Sequence, residues 1–304
     1  MPERLRAIIE QARKLAPITV AVVDAEEEHV LAGAHEAAQA GLIEPVLIGR
    51  RKDIEPICQG MGLATDRYPI IEAESDTDSA EKGVQRVLDG QAAALMKGWI
   101  HTDMLMHPVL AHLRTARRVS HVFVVELATY HKLLFVTDAA INIAPDLITK
   151  AAIVQNAVDL ARLLGIEMPK VAALSAVEVV KPAIASTIDA ACLSKMAQRG
   201  QIRHAVVDGP LAFDNAISKE AARIKHIDSA VAGEVDILLT PDLASGNILA
   251  KDLEYLAAAT MAGIVVGARV PIVLPSRSDP PFARLASAAI AVLVHHRWNT
   301  DDGT

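Results

Sequence analysis

Residues Asp236–Asp279 read DILLTPDLASGNILAKDLEYLAAATMAGIVVGARVPIVLPSRSD. The apolar run Ile237 to Thr240 predicts a buried strand. It passes into a polar turn, a helix-length segment and a second apolar strand from Ile264 to Leu274, broken by Arg269 and ending in Ser-Arg-Ser-Asp. Continuous apolar strands alternating with helices are characteristic of a parallel sheet buried on both faces. Ligands of such sheets bind beyond the carboxyl ends of the strands, where the next helix offers free backbone N–H groups to anions. Polar residues gather just after both strand ends, so the stretch predicts half of an anion-binding site together with the fold.

The same rhythm runs upstream. Thr19–Asp24, Pro45–Gly49, Tyr68–Glu72 and Ala93–Lys97 are strand candidates, each followed by a charged segment with helical spacing. Right-handed crossovers and a parallel sheet follow. Segment 120–138 differs: its two apolar runs are separated only by Ala128–Lys132, which predicts neighbouring strands joined without a helix. A second series comprises a helix over Asp146–Leu164, the strand Lys170–Ser175, a helix near Thr187–Arg199, the strand His204–Asp208 and a helix near Asn215–Ile227. The apolar helix Pro280–Trp298 is expected to return to the first domain. The prediction is an α/β protein of two three-layer parallel-sheet domains, one formed by residues 1–140 plus 276–304 and the other by 141–275.

Composition narrows the function. Of 304 residues 52% are hydrophobic but only 3% aromatic, so Ala, Val, Ile and Leu must fill the core. A formal net charge of −7 argues against a nucleic-acid partner, and any anionic ligand must be held by local cations. Cys58 and Cys192 give neither a disulfide framework nor metal-ligand spacing, which fits a reducing cytoplasm. No His-x-x-x-His pair or carboxylate array points to a metal. The N-terminal MPERLRAIIEQARKL reads as a charged amphipathic helix, not a signal peptide, and the apolar run Leu256–Ala268 is too short to span a bilayer. A soluble cytoplasmic protein without a membrane partner is expected.

The polar turns after strands supply the candidate site. They are Lys97-Gly98 with His101 and Thr102; Ser120-His121; Thr137-Asp138 with Asn142; Asp208-Gly209-Pro210 with Asp214 and Asn215; Thr240-Pro241-Asp242 with Ser245, Gly246, Asn247 and Lys251; and Ser276-Arg277-Ser278-Asp279. Ser245-Gly246-Asn247 opens a helix with small residues and suits a phosphate cradle, although a plain helix cap explains it as well. Asp214 and Asn215 read equally as caps. Arg277 is the sharpest signal, because a guanidinium is a planar fork of donors matched to phosphate or carboxylate oxygens.

Several segments carry a resemblance to a known family: LMKGWIHTDMLM (95–106), RRVSHVFVVE (117–126), LLFVTDAAINIAPDL (133–147), AVVDGPLAFDNAIS (205–218) and the opening stretch itself. They resemble the phosphate acetyl/butyryltransferases, with segments 133–147 and 205–218 most similar to the butyryltransferase-like branch. The resemblance implies an isocitrate/isopropylmalate dehydrogenase-like fold, an active site in the interdomain cleft and a homodimer. It also implies reversible transfer of a short acyl group between coenzyme A and phosphate, so that acyl-CoA, phosphate and acyl phosphate are the small-molecule partners. Coenzyme A is then a substrate, and no cofactor is permanently bound. Ser276 and Arg277 take the family's Ser-Arg positions. The aspartate that the acetyltransferase pattern carries six residues after the Arg is replaced by Ala283. Asp279 is the nearest substitute as a base, with Asp208, Asp214, Asp242, solvent or phosphate as alternatives. Two other functions stay open at this point: a coenzyme A-binding regulatory subunit, and a metal-dependent decarboxylating dehydrogenase.

Overall fold

The structure, a computed structural model, describes residues 2–276 and 279–298. The chain divides into two units, Glu3–Arg117 with the segment beginning at Ala262, and Arg118–Met261. The elements follow in chain order. First come α1 (Glu3–Ala12), β1 (Ile18–Val23), α2 (Glu28–Gln39), β2 (Ile43–Gly49), α3 (Arg51–Gly60), β3 (Ile70–Glu72), α4 (Asp76–Leu88), β4 (Ala94–Lys97) and α5 (Thr102–His112). Next are β5 (Ser120–Glu126), β6 (Leu134–Thr137), α6 (Leu147–Leu163), β7 (Lys170–Leu174), α7 (Ala185–Gln198), β8 (Val206–Leu211), α8 (Phe213–Ile217), α9 (Lys219–Ile224), β9 (Ile237–Leu239) and α10 (Leu243–Tyr255). The chain closes with β10 (Thr260–Val266), β11 (Ile272–Val273) and α11 (Pro281–Arg297).

In the first unit the strand order is β3-β2-β1-β4-β11-β10, parallel except for β10, which runs antiparallel to β11. In the second it is β5-β6-β9-β7-β8, parallel except for β5 against β6. Local chemistry sets the helix starts. Ser75, Asp146 and Asp242 accept backbone N–H groups of Asp78, Thr149 and Ser245, so each caps its helix with a side-chain oxygen. Helix α11 begins at Pro281, where the missing N–H costs nothing, and is buried from Ala283 to Val294. Its alanines let it lie close against α1 and α2.

Each unit has a topological switch point, where a strand's two neighbours are reached by crossovers of opposite direction. In the first unit the chain steps outward from β1 to β2 and β3, then returns to the other side of β1 with β4. In the second it steps from β7 to β8 and returns across β7 with β9.

The structure departs from expectation in four places. The apolar run Ile264–Leu274 is two antiparallel strands, not one broken strand. Gly267 at φ +89° and the N–H-less Pro271 reverse the chain, and Thr115 Oγ1 holds the corner by donating to Gly267 O at 2.8 Å. The units divide at 117/118 and 261/262, where 140/141 and 275/276 were expected, because β6 pairs with β9 while β11 pairs with β4. Strand β8 continues through Asp208-Gly209-Pro210 where a turn was expected. The helix near Asn215–Ile227 is two short helices parted at Ser218, whose hydroxyl caps α9 by accepting Ala221 N–H. Among the described residues no helix is long and apolar enough to cross a membrane.

Candidate active site

In the second unit the antiparallel register of β5 and β6, with Phe123 opposite Val136, brings the start of β5 to the end of β6. Ser120 and His121 therefore lie at the same edge as Thr137 and Asp138. Thr137 Oγ1 donates to His121 O at 2.7 Å, and Ser120 Oγ meets Asn156 Nδ2 at 2.9 Å. The Asp138 carboxylate gathers the backbone N–H groups of Ala140, Ile141 and Asn142 at 2.9, 3.0 and 3.2 Å, and Asn142 Nδ2 at 2.6 Å. Asn142 Oδ1 in turn accepts Arg118 Nε at 2.8 Å. Burial pushes the His121 imidazole down to about 4 against the pull of the Asp138 charge, so the ring is neutral near pH 7.

Strand β9 delivers the next turn to this edge. Thr240 N–H donates to Thr137 O at 2.8 Å. Asp242 caps α10, accepting Ser245 N–H and Ser245 Oγ, both at 2.8 Å, and these bonds hold its carboxyl below the usual range. The expected anion cradle is thus closed by the chain's own carboxylate. Gly246 is a packing residue: a Cβ there would lie 2.5 Å from Asp138 O and 2.6 Å from Thr240 Oγ1. Asn247 Nδ2 reaches Ala139 O at 3.3 Å, while Lys251, further along α10, pairs with Glu254 at 2.8 Å.

The β8–α8 residues carry structural duties of their own. Asp208 accepts Gly209 N–H at 2.8 Å, and Gly209 packs so tightly on Ala173 that a Cβ would lie 2.7 Å from its carbonyl oxygen. Asp214 forms an ion pair with Lys225 at 3.0 Å, which holds its carboxyl down.

The first unit gathers a second set at the ends of β1, β4 and β11. Lys97 is buried, with Nζ 3.3 Å from Gly98 O. Gly98 N–H donates to Val23 O at 2.8 Å and Trp99 N–H to Asp24 O at 2.9 Å, leaving no room for a side chain between them. His101 is the exposed N-cap of α5 and makes no side-chain cap bond, and Thr102 opens that helix.

After β11, Asp279 Oδ2 accepts Ser276 N–H at 2.7 Å, so the carboxylate expected to serve as a base closes its own turn. Buried Arg284 of α11 donates through its terminal NH2 to Ser276 O at 3.0 Å and through Nε to Asp279 O at 3.3 Å, gripping both sides of the turn. Its aliphatic stem lies over Gly33, where a Cβ would come within 3.0 Å. Arg277 and Ser278 lie outside the described residues, and Ala283 is buried in α11.

Two residues of this edge were not singled out from sequence. Arg284 looks like any helix cation until its acceptors are known. Asp24 directly follows an apolar strand and is the same kind of strand-end polar residue as those chosen. It is buried at φ 61°, and burial, then the charges of Asp76 and Glu26, raise its carboxyl to about 6 against the opposing pull of Arg50 and Lys97. Glu26 is itself clamped by Arg50, whose backbone N–H and Nε reach its two oxygens at 2.6 and 2.7 Å. Among the described residues no group of His, Cys, Asp and Glu could hold a metal ion.

Residues 71–292 match the model of the phosphate acetyl/butaryl transferase family. The chain belongs to that family. A phosphate acetyltransferase of Rhizobium meliloti is 50% identical over 295 residues, covering 96% of this chain and 93% of the relative. A phosphate butyryltransferase of Clostridium acetobutylicum is 42% identical, covering 90% and 92%. Among solved structures, a branched-chain phosphotransacylase from Enterococcus faecalis V583 superposes with a TM-score of 0.80 at 31% identity, over 92% of this chain and 99% of that one. The phosphate acetyl/butaryl transferase assignment thus spans both units described above.

Proposed function

We propose that this protein is a phosphate acyltransferase that moves an acetyl, propionyl or butyryl group reversibly between coenzyme A and inorganic phosphate. Membership of the phosphate acetyl/butaryl transferase family carries the reading. The chemistry at the strand ends is consistent with it. Both substrates are polyanions, and an acidic chain must supply cations locally to hold them. Buried Lys97, Ser276 and Arg277 are the groups for this.

In the direction that forms acyl-CoA, the thiolate of coenzyme A attacks the acyl carbon of the acyl phosphate. Charge develops on the carbonyl oxygen, where Ser276 and Arg277 stabilise it, and phosphate departs with the electron pair of its bond to carbon. No covalent enzyme intermediate is required. The isocitrate/isopropylmalate dehydrogenase-like fold, a cleft location, a homodimeric assembly and residence in the cytoplasm complete the proposal.

The test is a thiol-release assay with acetyl-, propionyl- and butyryl-CoA, with and without phosphate. Wild type releases coenzyme A only when phosphate is present. Arg277→Ala lowers that rate by about 10²-fold or more without changing the melting temperature, as loss of a charge-stabilising donor does. Activity within about twofold of wild type removes Arg277 from the mechanism, and acyl-CoA binding without turnover in the wild type replaces the enzyme reading with that of a binding subunit.

A further inference from the structure

The candidate bases taken from the strand ends are all engaged. Asp279 is closed on Ser276 N–H, Asp242 on Ser245, Asp208 on Gly209 N–H, and Asp214 on Lys225. Asp24 is different. It ends β1 on one side of the first unit's switch point, with Lys97 and Gly98 ending β4 on the other, and the register sets Val23 beside Lys97. The crevice outside such a point is where open α/β sheets bind their ligands.

Strand β11 extends the same edge, since Val273 lies beside Met96, and the Ser276 turn follows it directly. The segment after β1 acts on the side chain that grips that turn: Arg284 packs over Gly33 of α2, and the charge of Glu27, just before α2, acts on its guanidinium. Asp24 is also held at φ 61°, a left-handed conformation that costs free energy and that concentrates at functional sites.

We propose that the Asp24 carboxylate is the proton acceptor for the coenzyme A thiol, standing in for the aspartate absent at Ala283. This rests on the acyltransferase reading above. The S–H proton passes to an Asp24 oxygen as the sulfur electron pair forms the bond to the acyl carbon, and the carbon–oxygen bond breaks with its pair leaving on phosphate. In reverse, the Asp24 carboxylic acid returns the proton to the departing thiolate. A carboxyl that titrates near 6 can both accept and return a proton near neutral pH. The charged groups that act on it are Asp76 on α4, Glu26 in the β1–α2 connection, Arg50 directly after β2, and Lys97 on β4.

Three measurements decide it. Asp24→Asn lowers kcat for acyl phosphate and coenzyme A by about 10²-fold or more, retains coenzyme A binding by calorimetry, and removes the acid limb near pH 6 from the kcat/KM profile. Asp76→Asn, which withdraws a charge that raises the Asp24 pKa, moves the wild-type limb to lower pH. The third is melting. The folded carboxyl titrates above its unfolded value of about 3.9, so the stability it contributes is present below about pH 4 and lost as pH rises through about 6. Asp24→Asn therefore melts higher than wild type at about pH 8, with the gap closing towards about pH 4.

An Asp24→Asn enzyme within about twofold of wild type at every pH overturns the assignment while leaving the acyltransferase reading intact. A limb unmoved by Asp76→Asn also overturns it, and does not depend on how Asp24→Asn folds. Absence of phosphate-dependent thiol release from the wild type ends both readings together.

Discussion

Gly98 sets the distance between the ends of β1 and β4, and the cost of a methyl group there can be estimated. A Cβ would stand 2.0 Å from Asp24 O and 2.5 Å from Val23 O, both backbone atoms that already accept N–H groups of the 98–99 peptides. Relief would have to come from parting the two strand ends. Gly98→Ala should therefore lose about 3 kcal/mol in urea unfolding and most of its activity, at the severe end of overpacking. Gly60→Ala is the control, because nothing lies within 4 Å of its Cβ position and alanine is the better helix former, so stability should hold or rise by about 0.5 kcal/mol. Equal stability of the two variants would show that the strand ends yield more easily than the distances indicate. Gly98 was among the candidate ligand contacts in the sequence, but the reason only glycine fits there is the neighbouring backbone.

At the scale of elements, α11 governs the turn after β11 through one side chain. Arg284 bears the cost of burial, offset by the charges of Asp279 and Glu27, and bonds to the carbonyls on both sides of residues 277–278. Arg284→Met should remove a donor from both carbonyls, although Ser276 O keeps the Asp279 N–H at 3.2 Å, costing about 1 kcal/mol. If the turn carries the proposed catalytic groups, the variant should also lower kcat about tenfold or more at temperatures where it is fully folded. Arg284→Lys should recover part of the rate, since an ammonium reaches one carbonyl but lacks the planar fork. A variant that is destabilised yet keeps wild-type kcat would reduce Arg284 to a packing residue.

The same elements mark how far the sequence was legible. Alternating apolar runs and charged helical segments located most of the strands and helices, and the short link at 128–132 disclosed the antiparallel pair β5–β6. The reversal at Gly267 lies inside an apolar run that Arg269 alone interrupts, so the run reads as one strand, and Asp208-Gly209-Pro210, with the chemistry of a turn, lies within a strand. Asp24 carries the same strand-end signature as the candidate residues, but the groups that raise its carboxyl come from separate elements, which periodicity cannot assemble.

For the molecule as a whole, the relevant quantity is a net charge of −7 on a protein whose proposed substrates are polyanions. At an ionic strength of about 0.01 M the screening length is about 30 Å, so the whole negative surface opposes the approach of coenzyme A. Near 0.1 M it shrinks to about 10 Å, and only charges close to the bound nucleotide are felt. Above that, added salt weakens the local attraction that the proposed binding groups Lys97 and Arg277 would supply. The KM for coenzyme A should then fall or stay level as potassium chloride rises from about 0.01 to about 0.1 M, and climb severalfold towards about 1 M, with kcat little changed. Sulfate and phosphate salts must be avoided, because they compete for the same donors. A KM that continues to fall up to about 1 M would mean that apolar contacts hold coenzyme A, and local cations would then have no measurable part in its binding.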